Sequence, residues 1–126
     1  IFTAKQVRLM IEPLEELPVP GPVGTIDLFD FDPLNLRAGL GILVRAHARG
    51  QGFASDALET VVKYAFSILR LNQIYCHISA DNIQSIRLFE QAGFVRCGLK
   101  KQWLRSGQDW IDEYMYQLLK GDVQGR

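Results

Sequence analysis

The sequence predicts an α+β domain built on one mixed sheet, and three observations carry that expectation. The apolar pattern reads in order as three strands, a helix, a strand, a helix and two strands. Early and late strands are joined by hairpin-sized loops, whereas the middle strands are separated by helix-length segments, the kind of connection that parallel neighbours need. With 126 residues, 48% apolar and 22% charged, the chain has material for one core and too little for two, so residues 1–126 are expected to form a single domain.

The first strand is read from Val7 to Glu12, where apolar and polar residues roughly alternate. Pro13, Pro18, Pro20, Gly21 and Pro22 then remove ladder donors and form a hairpin loop. Thr25 to Phe31 is the second strand, with Ile26, Leu28, Phe29 and Phe31 set against Asp27 and Asp30. A turn around Asp32-Pro33-Leu34-Asn35 leads to a third, Leu40 to Val44, whose members are partly β-branched. After Gly50 and Gly52, apolar residues recur at Ala54, Ala57, Leu58, Val61, Val62, Ala65, Phe66 and Leu69, which is helical spacing over several turns. Gln73 to Ala80 is strand-like. Asn82 can cap a second helix carrying Ile83, Ile86 and Phe89 on its apolar side, and Gly93 ends it. Phe94 to Leu99 and Trp110 to Leu119 are the closing strands.

Composition excludes several function classes. Fourteen Lys plus Arg balance fourteen Asp plus Glu, so the basic excess of a nucleic-acid binder is missing and no nucleic-acid partner is expected. Cys76 and Cys97 lack CxxC spacing and a flanking His cluster, so no metal site is expected and both are read as reduced, buried thiols. No apolar run reaches the ~20 residues of a membrane span, and no signal core is visible, so a cytoplasmic protein without a membrane partner is expected.

Chemistry concentrates in Val44-Arg45-Ala46-His47-Ala48-Arg49-Gly50-Gln51-Gly52-Phe53-Ala54, which leaves a strand, crosses a glycine turn and enters the longer helix. A helix N-terminus has unpaired N–H groups and a partial positive charge, and glycines let a phosphate come close to them. Two glycines can equally make an ordinary tight turn, so this segment alone leaves both readings open.

Arg49-Gly50-Gln51-Gly52-Phe53-Ala54 resembles the Arg/Gln-x-x-Gly-x-Gly/Ala signature of the GCN5-related N-acetyltransferase (GNAT) superfamily. Asn82-Ile83-Gln84-Ser85-Ile86-Arg87-Leu88-Phe89-Glu90-Gln91-Ala92-Gly93-Phe94 resembles its second motif, Asn-x-x-Ser/Ala-x-x-Leu-Tyr-x-x-x-Gly-Phe. Nearly all of residues 22 to 119 is similar to the branch containing spermidine and ribosomal-protein alanine N-acetyltransferases.

The resemblance implies a GNAT-like mixed central sheet with helices on both faces, lacking the N-terminal strand and helices, hence an N-terminally incomplete domain. It implies acetyl-CoA as cosubstrate, with Ile42, Leu43 and Val44 pairing with the pantetheine arm and Gln51, Gly52, Phe53 and Ala54 presenting N–H groups to the pyrophosphate. Arg49 stands in the first motif position, Gly50 beside it, and Asn82 near the pantetheine. The implied reaction is direct attack of an amine on the thioester, without an acyl-enzyme or metal, the acceptor being a small-molecule or peptide amine such as a polyamine or a protein N-terminus. Self-association into a homo-oligomer is left open.

The sequence departs from the family at two positions that bear on catalysis. Phe89 replaces the Tyr that often protonates the leaving thiolate; Ser85 matches the position of a serine proposed for the same role in the ribosomal-protein alanine branch, so the resemblance implies Ser85 as the candidate catalytic acid, donating directly or through water. Gly39 stands where many relatives carry a Glu that helps deprotonate the amine, so the base is unassigned. Asp27, Asp30, Asp32, Asp112, Glu113, His47 and His77 could act, but solvated or packed structural positions are expected for them. Trp103, Trp110, Tyr114 and Tyr116 are read as core or cross-strand aromatics. These departures also keep a non-catalytic acyl-CoA-binding or sensory domain as the alternative.

Overall fold

A computed structural model describes residues 6–14 and 21–124 of the chain. Pro18 and Pro20 of the first loop lie outside the described residues. Strands β1 (Gln6–Ile11), β2 (Gly24–Asp32) and β3 (Arg37–Val44) are followed by a 3-10 turn (Ala46–Ala48) and helix α1 (Phe53–Ser67). Then come β4 (Gln73–Ser79), α2 (Ile83–Gln91), β5 (Val95–Ser106), β6 (Asp109–Leu119) and a short α3 (Lys120–Gln124). The described strands form one six-stranded sheet in the order β1-β2-β3-β4-β6-β5. The α+β class and the mixed sheet are as the sequence predicted.

The β3–β4 pair is parallel and the other described pairs are antiparallel. Parallel neighbours were expected around both crossovers, but β6 folds back between β4 and β5, so the second crossover skips a position. Both crossovers travel in the same direction across the sheet, and the right-handed rule then puts α1 and α2 on one face. Registers bear this out: Leu9, Ile26, Ile42, Leu40, Ala38, Ile74, Cys76 and Tyr116 follow one another through opposed pairs and share a face. Tyr116 bonds Glu90 of α2 on that side. The two crossover helices thus share one face of the sheet.

That face holds the core, a cluster that includes Leu28, Leu40, Leu58, Ala65, Ile74 and Leu118, each at most 1% exposed. The buried stripe of α1, Leu58, Val61, Val62, Ala65 and Phe66, is the spacing that predicted the helix. Burying a Leu or Ile side chain contributes about 1.5–3 kcal/mol, so α1 is held by this stripe more than by intrinsic propensity. The opposite face carries Arg8 paired with Asp27 at 2.9 Å, and Tyr75, His77 and Glu113.

Two elements run longer than the pattern suggested. β3 begins at Arg37 because Ala38 and Gly39 pair with β4. β5 continues past Leu99 to Ser106 and turns at Gly107 (φ +62°), which needs no Cβ there. The polar run from Lys100 to Arg105 hid this extension, because neither face of the strand end is buried. Trp103 and Trp110 stand here exposed and outside the core. Lys100 lies over Trp103 at 4.7 Å and Arg105 over its cross-strand neighbour Trp110 at 5.9 Å.

Candidate active site

The site begins where the sheet splits. β3 is laddered to β2 as far as Val44, but to β4 only through Arg37, Ala38 and Gly39. The Arg45 N–H donates to the Val23 carbonyl at 2.7 Å. The alternation of an antiparallel ladder then turns the backbone groups of Leu43 toward β2, and those of Ile42 and Val44 toward the gap that β4 leaves. An extended ligand could pair with this strand edge.

Beyond Val44 the chain makes its 3-10 turn and comes back under the strand end. Arg49 donates through Nε to the Val44 carbonyl at 3.1 Å, tying the loop to β3. Gly50 and Gly52 take φ of +79° and +84°, values that favour glycine, and no atom lies within 4 Å of where a Cβ would stand on either. Gly52 is the N-cap of α1 and offers no side-chain cap. The first helical bond runs from the Asp56 N–H to the Gly52 carbonyl at 3.0 Å, so the N–H groups of Phe53, Ala54 and Ser55 have no partner inside the helix.

The opposite wall is α2. Asn82 caps it, its Oδ1 accepting from the Ser85 N–H at 3.2 Å, which confirms the capping expected of that Asn. Ser85 is half-buried, and its hydroxyl has no hydrogen-bond partner among the described residues. The Tyr116 hydroxyl sets the height of this helix over the sheet: it donates to Glu90 Oε2 at 2.8 Å and accepts from Arg96 Nη2 at 3.1 Å. Burial holds the Tyr116 phenol above its ordinary value, so it stays protonated and able to donate.

These elements enclose a cleft of about 590 Å³. Ile42, Leu43, Val44, Arg49, Gly50, Gly52, Phe53, Ala54, Asn82 and Ser85 all line it. Gln51 does not: its side chain donates to the His47 carbonyl at 3.3 Å and borders a hollow on the β1 side of α1. Sequence reasoning missed Ala48, Ser55, Gln84, Arg87, Leu88 and Gln91, which also line the cleft. Gln84, Arg87, Leu88 and Gln91 fall at i, i+3, i+4 and i+7, and this stripe was readable once α2 had been placed.

The other positions singled out have local roles. Phe89 is 3% exposed and packs edge-to-face on Phe94, with ring centroids 5.0 Å apart. Gly39 is buried beneath the Phe29 ring, which a Cβ at that position would strike; the ring occupies the space a larger residue would need. Asp32 caps its turn through Leu34 and Asn35, Asp112 accepts from the Gln102 N–H, and Asp27 pairs with Arg8. His77 differs from the packed position expected of it: it is exposed, its Nδ1 3.7 Å from Glu113 Oε1. Cys97 is exposed and not buried as expected, while Cys76 is buried. Among the described residues no group of His, Cys, Asp and Glu could hold a metal, and no helix is long and apolar enough to cross a membrane.

Comparison with known proteins agrees with this geometry. The family model described as an acetyltransferase (GNAT) domain matches residues 4–95. An uncharacterized N-acetyltransferase, p20, of Bacillus licheniformis is 30% identical over 95% of the chain and 75% of its own length. A spermidine N(1)-acetyltransferase of Vibrio cholerae is 30% identical over 76% of the chain, which spans 56% of that relative. In fold, a chimera of the spermidine N-acetyltransferase SpeG from Vibrio cholerae and hSSAT superposes with a TM-score of 0.88 at 22% identity, over 98% of this chain and 75% of the other. With both motifs flanking one cleft and the family model covering most of the chain, this protein belongs to the acetyltransferase (GNAT) domain family.

Proposed function

We propose that the chain carries the acetyl-CoA site of an N-acetyltransferase that acetylates a primary amine. The observation that supports this best is the joining of a free strand edge, Ile42 to Val44, to a glycine-capped helix N-terminus in one cleft. A strand edge suits the two amides of pantetheine, and open N–H groups suit a pyrophosphate. In this reading Phe53, Ala54 and Ser55 donate to the pyrophosphate, and Ile42 and Val44 pair with the pantetheine arm. Gln51 contributes through its backbone.

The amine nitrogen attacks the thioester carbonyl, the new C–N bond forms and the C–S bond breaks. In this reading the Val44 N–H, which faces the gap, stabilises the oxyanion. The departing thiolate takes a proton from the Ser85 hydroxyl, directly or through water, and the amine proton passes to solvent or to a base of the acceptor side. No metal and no acyl-enzyme enters this scheme. A polyamine is the first acceptor to try, because a spermidine N(1)-acetyltransferase is among the relatives; a protein N-terminus is the second, after the putative ribosomal N-acetyltransferase YdaF of Bacillus subtilis. A cytoplasmic location fits both.

The test is mass spectrometry of an amine panel (spermidine, spermine, N-terminal peptides, amino sugars) incubated with acetyl-CoA and the full-length protein. Transfer to one amine class supports the reading. Binding of acetyl-CoA without transfer to any amine would refute the catalytic assignment and leave only a binding domain.

A further inference from the structure

Acetyl-CoA brings two anionic centres to its protein, a pyrophosphate and a 3′-phosphate on the ribose, and in the reading above the N-terminus of α1 serves the first. The wall that faces it carries a cation with no assigned task. The cleft is lined by two guanidinium groups, Arg49 and Arg87, and by no carboxylate, in a chain whose formal net charge is zero. This local excess of positive charge favours an anion.

The two arginines are not equivalent. Arg49 is committed through Nε to the Val44 carbonyl and so serves the shape of the loop. Arg87 is exposed on α2 and makes no hydrogen bond or ion pair among the described residues. Arg87 also follows Ser85 by two residues, away from the Ile86 and Phe89 side that packs on the sheet. An uncommitted guanidinium beside an open cleft is suited to two-point contact with a phosphate.

The geometry points to Arg87 as the residue that holds the 3′-phosphate of coenzyme A and so gives the site its preference for CoA over dephospho-CoA. This rests on the acetyl-CoA reading above. Arg87 is here a binding and specificity residue, with no part in the chemical step.

The experiment is calorimetric titration of CoA and of 3′-dephospho-CoA into the wild-type protein and into Arg87→Gln and Arg87→Lys. A hydrogen-bonded contact between charged groups corresponds to roughly 10- to 100-fold in affinity, so wild type is expected to favour CoA by that factor. Arg87→Gln should lower CoA affinity to the dephospho-CoA level and leave dephospho-CoA binding unchanged, while Arg87→Lys should keep part of the preference. Gln is as good a helix former as Arg, and a thermal melt by circular dichroism should show the variant folded. Equal binding of the two ligands by wild type, or equal weakening of both by Arg87→Gln, overturns the role of Arg87 while the cosubstrate reading stands. If wild type binds neither ligand, the cosubstrate reading itself falls and takes this inference with it.

Discussion

Replacing Gly52 by Ala separates what the glycine does for folding from what it does for a ligand. Gly52 sits at φ +84°, ψ 0° as the N-cap of α1, and a Cβ there would meet no protein atom within 4 Å. The folding cost is therefore backbone strain alone, about 1–2 kcal/mol for a residue with a Cβ in the left-handed region. For a domain of this size that is about 4–8 °C in Tm. The ligand cost is separate. Gly52 lines the same cleft as Phe53, Ala54 and Ser55, so in the proposed reading a side chain added there obstructs the approach of a phosphate to their N–H groups. Losing one charge-assisted bond to a phosphate there should weaken CoA by roughly 10- to 100-fold.

Gly107 supplies the control. It has φ +62° and equally open surroundings but sits in the β5–β6 turn, away from the cleft lining. Gly107→Ala should lose a similar amount of Tm and leave CoA affinity unchanged. Calorimetry with CoA and thermal melting of both variants decide the matter. A folded Gly52→Ala protein with wild-type CoA affinity, or a Gly107→Ala protein that loses as much affinity, would refute the reasoning.

Three further outcomes are expected. Ser85→Ala should lower kcat by about 10²–10⁴-fold with little change in acetyl-CoA affinity if its hydroxyl protonates the thiolate; its backbone bond to Asn82 is retained, so Tm should barely move, and wild-type kcat under chemistry-limited turnover would assign the proton to water instead. Burial, and secondarily Cys97, pushes the Cys76 thiol from 9.0 up to about 12, so a thiol reagent at pH 8 should modify one cysteine in the native protein and two in denaturant. The same shift means that Cys76 keeps its proton in the fold: its contribution to stability is fully present below pH 9 and is lost as the pH rises toward about 12. Urea unfolding between pH 8 and 10.5 should show a decline that is smaller in Cys76→Ala; an equal decline in the two proteins would count against it.

The strand and helix order, the helix caps and the glycine turn were legible because each is a local property. Apolar spacing over Leu58 to Phe66, an Asn before a helical stretch, and two glycines between a strand and a helix depend on neighbours within a turn or two of the chain. The two motifs were legible for the same reason, and they fixed the family. The split of β3 from β4 after Gly39 was not legible, since strand pairing is decided between segments more than thirty residues apart. Nor was the return of β6 between β4 and β5, which puts Tyr116 where it can hold α2 through Glu90. Phe89 and Gly39 read in sequence as missing catalytic groups, and only packing showed that Phe94 and Phe29 fill the space around them. Sequence determined which local pieces this protein owns; tertiary structure decided which of them face the same cleft, because burial and register act on side chains that the chain order keeps apart.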